Sequence, residues 1–273
     1  MLSVIIPASN EEGYIGACLT ALFASHPVPG GAEAVVVANG CRDATAARAR
    51  DMEAAGAAAG WRLVVLDLPE GGKPGALNAG DGAAQGDMRA YLDADVIVSA
   101  PLMAGLVAAL ARDAPRYATG TARIPRARSA VTRAYARFWQ RLPFARSDAP
   151  GYGLFAVNAA GRARWGDFPA IISDDTFVRL HFAPEERVQI AAPYDWPMIE
   201  GFSALTRVRR RQDAGVAEIA RLYPDLPGRE GKARLRPGAL ALMVLRDPAG
   251  FLAYAAVSLT VKLRRGQGWT RGR

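Results

Sequence analysis

Leu2-Ser3-Val4-Ile5-Ile6-Pro7-Ala8-Ser9-Asn10-Glu11-Glu12-Gly13 is the stretch that decides the fold of this chain. An apolar run breaks at Pro7 into a polar, acidic turn, and residues 12–25 continue with apolar positions at helical spacing (Ile15, Leu19, Leu22, Phe23). The unit then repeats. Ala34-Val35-Val36-Val37 precedes an alanine-rich helix over 45–59, Leu63-Val64-Val65-Leu66 precedes a helix over 76–85, and 90–92 is a fourth strand. Short, wholly apolar strands alternating with helices predict an α/β fold around a mostly parallel sheet covered on both faces. A dinucleotide-binding sheet of this kind would place G-x-G-x-x-G directly after the first strand. The turn here holds one glycine and two acids, which argues against that class.

In open parallel sheets ligands bind beyond the carboxyl ends of the strands. Residues 7–11, 39–43 and 93–95 all fall at such ends. The last of these, Asp93-Ala94-Asp95, follows the lysine-bearing turn Gly71-Gly72-Lys73-Pro74-Gly75-Ala76-Leu77-Asn78. Alternate residues of a strand share a side, so Asp93 and Asp95 are expected to converge on one divalent cation. Mg²⁺ and Mn²⁺ prefer carboxylate oxygens and join one or two of them with substrate phosphates.

Composition narrows the classes. A chain of 273 residues, 51% apolar and 22% charged, folds around a full core. Cys18 and Cys41 lack metal-ligand spacing, and their scarcity suggests a reduced, cytoplasmic setting. No signal peptide is read, and no uncharged run reaches the roughly 20 residues a membrane-spanning helix needs. Net charge is +8, divided unevenly: residues 1–120 carry 8 basic and 13 acidic side chains, residues 121–273 carry 26 and 13. The basic half suits phosphates on a ligand or on an anionic membrane. No helix-turn-helix, zinc or aromatic-interleaved pattern points to nucleic acid.

Residues 101–112 read as a helix. Within 123–147, Arg133, Arg137 and Arg141 recur every four residues while Tyr135, Phe138, Trp139 and Leu142 take another face, a basic amphipathic helix. Such a helix either packs on its own domain or meets a membrane surface. Near the C-terminus, 237–245 and 248–261 are uncharged runs split by Arg246-Asp247-Pro248. They are expected either to close the core or to lie in an anionic membrane interface, placing the protein peripherally on the inner face of the plasma membrane. The tail, 266–273, reads as disordered.

Four motifs in register carry a resemblance. The segments 3–12, Asn39-Gly40-Cys41-Arg42-Asp43-Ala44-Thr45, 72–78 and Asp93-Ala94-Asp95 resemble family-2 glycosyltransferases of the GT-A fold, most specifically over the first 100 residues. The resemblance implies a catalytic domain over 1–215, with a nucleotide-sugar half (1–100) and a mixed acceptor half (101–215), followed by a helical extension over 216–265. It implies a nucleotide-sugar donor, a glycan or lipid-linked acceptor and a divalent metal, Mn or Mg. Asp95 would bind the metal, Asp93 the ribose or the metal's water shell, and Pro7, Asn10, Glu11 and Asn39 the base and ribose, with Lys73 nearby. Gly153, in Gly151-Tyr152-Gly153-Leu154-Phe155-Ala156-Val157-Asn158, would floor the donor-sugar site. The acidic pair Asp174-Asp175 in Ile171-Ile172-Ser173-Asp174-Asp175-Thr176 would supply the general base, Asp175. Ser173 or Asp174 could equally cap a helix.

Two departures bear on the base. Ser9 stands where relatives often have an aromatic residue, and Ala38 or Asn39 where they often have an acid. Arg207, Arg209, Arg210 and Arg211 occupy the region of a Q-x-x-R-W motif without its Gln and Trp; they either face a leaving diphosphate or form a solvated helix face. His181 is either a packed helical residue or a metal ligand. The expected reaction is metal-dependent inverting sugar transfer in cell-surface glycan or glycolipid synthesis. A nucleotidyltransferase of related fold and a non-catalytic nucleotide-sugar binder are the rivals.

Overall fold

The computed structural model describes residues 1–146, 149–231 and 235–263; the tail expected to be disordered lies outside them. Four parallel strands form the first half of the sheet: β1 (Leu2–Ala8), β2 (Ala32–Asn39), β3 (Trp61–Leu68) and β4 (Met88–Leu92). Four more follow: β5 (Ile97–Val98), β6 (Tyr117–Arg123), β7 (Leu154–Val157) and β8 (Arg187–Asp195). The eight-stranded order is β3-β2-β1-β4-β7-β6-β8-β5. The sheet turns mixed at β7, which runs antiparallel to both β4 and β6, and β5 closes the far edge antiparallel to β8. The expected α/β architecture with a mixed second half is the one observed.

Helices α1 (Ile15–Phe23), α2 (Thr45–Arg50), α3 (Glu53–Ala58), α4 (Lys73–Ala83) and α5 (Leu102–Leu110) accompany the first strands. The alternation along β1 explains why both faces are covered. Leu2, Val4, Ile6 and Ala8 join a core with Ile15, Leu19 and Leu22 of α1 and Leu102 and Leu106 of α5. Ile5 points the other way, with Val35 and Val37, into a core with Ala76 and Leu77 of α4. Each wholly buried aliphatic side chain contributes roughly 1.5–3 kcal/mol, so neither face tolerates a one-residue register slip.

Downstream lie α6 (Ala130–Trp139), α7 (Ala159–Arg162), α8 (Asp174–Leu180), α9 (Phe202–Leu222), α10 (Pro237–Arg246) and α11 (Pro248–Leu263). Four features refine the sequence reading. The single helix over 45–59 is two, because Met52 N–H bonds the carbonyl three residues back, on Ala49, and tightens the chain into a turn. β5, β6 and β8 had no sequence reading. β6 (Tyr-Ala-Thr-Gly-Thr-Ala-Arg) lacks an apolar run, and its pairing with β8 shifts register between Thr119 and Thr121. The boundary placed at 215/216 falls inside α9, which runs unbroken through it. The basic stripe of α6 is spent internally: Arg137 and Arg141 pair with Asp247, and Arg133 donates to the carbonyls of Ala127 and Arg128.

Candidate active site

Three loops meet beyond the carboxyl ends of β1, β2 and β3. Glu11 N–H donates to Thr45 Oγ1 at 2.8 Å, Arg42 N–H to Asn10 Oδ1 at 2.9 Å and Ala44 N–H to Glu12 Oε2 at 2.9 Å, clasping the first loop to the second. Asn10 adopts φ 58°, a left-handed conformation that Asn tolerates better than most residues. Asn39, buried at the end of β2, donates Nδ2 to the carbonyls of Ala8 (3.0 Å) and Val37 (3.2 Å) and accepts Gly72 N–H on Oδ1 at 2.9 Å. Its side chain therefore ties the lysine turn to the sheet rather than presenting itself to a base. Gly40 at φ 57° lets this loop approach Gly71, where a Cβ would stand 2.7 Å from backbone atoms.

The cleft these loops border is lined by Pro7, Lys73, Leu77, Tyr91, Leu92, Asp93, Gly151, Gly153, Phe155, Asp174 and Asp175. Six residues expected at the site from sequence (Pro7, Lys73, Asp93, Gly153, Asp174 and Asp175) are thus brought together from widely separated parts of the chain. Asn10, Glu11, Asn39 and Asp95 are not among the lining residues. Tyr91, in the strand expected over 90–92, and Phe155, in the glycine-bearing segment, form a stacked wall, ring centroids 4.9 Å apart.

Asp93 and Asp95 do not sit on a strand. β4 ends at Leu92, and the next residues make a tight turn closed by Val96 N–H on the Asp93 carbonyl at 3.1 Å. Convergence through strand alternation is therefore replaced by a shared turn. The two carboxylates lie near enough to Cys18 that, after burial, their charges are what push its thiol upward. Gly153 anchors the turn: its carbonyl accepts Asp93 N–H at 2.8 Å, and its φ of 66° is a glycine conformation.

Lys73, the first residue of α4, reaches across the cleft to both acidic segments. Its Nζ stands 2.9 Å from Asp93 Oδ1 and 3.2 Å from Asp174 Oδ2. Burial alone would favour a neutral amine, but Asp174 and Asp93 outweigh it and hold the pKa above its ordinary range. Asp174 and Asp175 open the first turn of α8, where carboxylates suit the positive end of the helix. Ser173 occupies the cap position without a side-chain bond, so neither capping role expected for Ser173 or Asp174 is filled. Asp175 accepts Thr176 N–H on Oδ1 at 2.6 Å. Burial first, then the adjacent Asp174 charge, push the Asp175 carboxyl up to about 6 against the opposing pull of Lys73.

His181 lies outside the cleft lining. Its Nδ1 is 2.8 Å from the Phe177 carbonyl and its ring packs edge-on against Phe177, which makes it the packed helical histidine. Arg209 turns toward α11, bonding Asp213 at 2.9 Å and lying over the Tyr254 ring; none of Arg207, Arg209, Arg210 and Arg211 lines the cleft. Ser9 is exposed and Ala38 is buried.

Among the described residues no group of three or more His, Cys, Asp or Glu side chains is arranged to hold a metal ion. Two carboxylates on one turn beside an open cleft nevertheless fit a hard cation that completes its shell with ligand oxygens.

A mixed sheet with an acidic turn, a lysine and a second acidic pair gathered at the strand ends is the arrangement that the resemblance to GT-A glycosyltransferases implies. The profile of glycosyl transferase family 2 matches residues 3–164, and the chain belongs to that family. Among solved structures it resembles the mannosyltransferase PcManGT of Pyrobaculum calidifontis in complex with GDP-Man and Mn²⁺, with TM-score 0.60 and 20% identity, over 96% of this chain and 75% of that one. It also resembles TarS 1-349 of S. aureus in complex with UDP (0.57, 17%, 80% and 65% of the two chains). A third is glucosyl-3-phosphoglycerate synthase of Mycobacterium tuberculosis in complex with Mn²⁺, UDP and glucosyl-3-phosphoglycerate (0.52, 20%, 86% and 81%). No curated protein matches the sequence.

Proposed function

We propose that the chain moves a sugar from a nucleotide-sugar donor to an acceptor hydroxyl with inversion, in cell-surface glycan or glycolipid synthesis. The observation that carries the reading is Asp175: a carboxyl in the cleft wall, raised to about 6 and facing the same space as Lys73 and Asp93. A base poised near neutrality is what proton removal from a hydroxyl requires. Asp175 Oδ1 is occupied by Thr176 N–H, so Oδ2 receives the acceptor proton. The acceptor oxygen then bonds the anomeric carbon as the bond from that carbon to the diphosphate oxygen breaks, its electron pair leaving with the nucleotide. Lys73 remains protonated throughout and offsets the charge of the departing group. Asp95, with Asp93, would hold a divalent cation, Mn²⁺ or Mg²⁺, which supplies Lewis-acid stabilisation of the diphosphate.

A thermal-shift series with UDP-, GDP- and dTDP-sugars in the presence of Mn²⁺ identifies the donor, since a ligand bound only by the folded chain raises its stability. Nucleotide release that depends on an added acceptor confirms transfer. Pyrophosphate release instead would make the protein a nucleotidyltransferase, and binding without release a non-catalytic relative.

A further inference from the structure

Helix α10 has no buried residue at all. Leu240, Met243 and Val244 are only half-buried, a weak hold for ten residues of helix, and Leu242 and Leu245 turn outward, Leu245 being 80% exposed. α11 is half-anchored. Gly250, Val257 and Val261 are buried, and Tyr254 and Phe251 pack on Tyr135 and Phe138 of α6. Its outer stripe is Leu252, Ala256 and Leu259, with Leu252 66% exposed. A surface helix ordinarily turns charged residues to solvent, so an outer stripe of leucine calls for a cover.

The exposed charges of 235–263 are of one sign. Arg236, Arg246 and Lys262 are exposed at the ends of the two helices. Asp247 is the one acid within 235–263, and it is not available to a partner. It accepts Gly250 N–H at 2.9 Å, capping α11, and it pairs with Arg137 and Arg141. Burial would raise this carboxyl, but those hydrogen bonds and charges hold it below the ordinary range. The same junction turns the chain by 117° between α10 and α11. No single described helix is long and apolar enough to cross a membrane, and so sharp a bend does not make one spanning rod of the pair.

We propose that α10 and α11 form a bent, peripheral docking face for an anionic lipid surface, with Leu242, Leu245, Leu252 and Leu259 entering the interface and Arg236, Arg246 and Lys262 meeting lipid phosphates. The leucines supply apolar burial and the cations supply preference for anionic headgroups. Asp247 sets the angle of the two helices, and Arg137 and Arg141 serve it rather than the lipid. The inference does not rest on the transfer reaction.

The test is flotation of the full chain with phosphatidylcholine vesicles, with and without phosphatidylglycerol. Wild type is expected to float with the anionic vesicles and to be released by salt. Leu245→Glu/Leu252→Glu should abolish flotation while the melting temperature and donor binding stay unchanged, because both side chains are already in solvent. Arg246→Gln/Lys262→Gln should weaken partition by about fivefold for each charge removed. Failure of wild type to float, or flotation of the glutamate variant as well as wild type, overturns the proposal. So does a concentration-dependent dimer by light scattering that the glutamate variant dissolves, which would assign the face to a second copy. Donor binding is read separately, so loss of flotation and loss of the transferase reading are distinguishable.

Discussion

Lys73 and Asp174, distant in the chain, meet across the cleft with Nζ 3.2 Å from Oδ2, and the same ammonium holds Asp93 at 2.9 Å. One cation thus joins the turn after β4 to the first turn of α8. Asp174 is almost wholly buried, whereas Lys73 and Asp93 each keep about a third of the side chain in water. Lys73→Met leaves Asp174 without its cation next to Asp175. The expected destabilisation is about 1–3 kcal/mol, below the full cost of breaking a buried pair because Lys73 is partly solvated. Urea unfolding checks it, and wild-type stability in the variant would show that the bridge is energetically idle.

The pH dependence follows from Asp175. With the carboxyl raised to about 6, kcat should fall about tenfold per pH unit on the acid side of that value. Stability runs the other way. Between about pH 4, where a free aspartate titrates, and about 6, the folded chain holds a proton the unfolded chain has released. This group's contribution to stability is therefore present below that window and lost as pH rises through it. Asp175→Asn should lower kcat by about 10²–10⁴-fold with donor affinity kept. A variant within a few-fold of wild type would remove Asp175 from the reaction, with Asp174 tested next.

Metal dependence is expected to be complete. Chelation should abolish turnover and Mn²⁺ or Mg²⁺ should restore it. Asp95→Ala should lose the thermal shift that donor and Mn²⁺ give together, since two carboxylates without a closed cage depend on the ligand to finish the shell. Full activity in excess chelator would remove the metal from the reaction.

Much of this arrangement was legible in the residues. Apolar strands such as 34–37 announce themselves because both faces of a parallel sheet are buried, and the acidic turn after Ile6 separates this sheet from a dinucleotide fold. The acidic segments and Lys73 were readable as motifs, but their meeting was not: Asp93 and Asp174 are joined by Lys73 through tertiary folding, which no local spacing encodes. β8 escaped notice although Val188, Ile190, Ala192 and Tyr194 alternate toward the core, because Pro193 within the run reads as a strand breaker. Asn39 was readable as a strand-end polar residue, yet its bonds to Ala8, Val37 and Gly72 are set by how three loops converge. The stripe of Arg137 and Arg141 left packing and membrane contact both open, because their partner, Asp247, lies far downstream.

Gly153 joins the Asp93 turn to the far side of the cleft, and Gly153→Ala tests that connection. Its φ of 66° costs an alanine about 1–2 kcal/mol, and the added Cβ would stand 2.7 Å from Trp196 Cδ1 and 2.8 Å from Val96 Cγ2. Val96 closes the Asp93 turn through its N–H, and Gly153's carbonyl holds Asp93 N–H at 2.8 Å. The methyl therefore pushes on both ends of the turn carrying Asp93 and Asp95. The variant should fold, lose about 1–3 kcal/mol in urea unfolding, and require more Mn²⁺ for half-maximal donor binding than wild type. Gly166→Ala is the control, because a Cβ there meets nothing within 4 Å. It should match wild type in both measurements. An unchanged Mn²⁺ requirement in a destabilised Gly153→Ala would show that the strain is absorbed by Trp196 instead of the Asp93 turn.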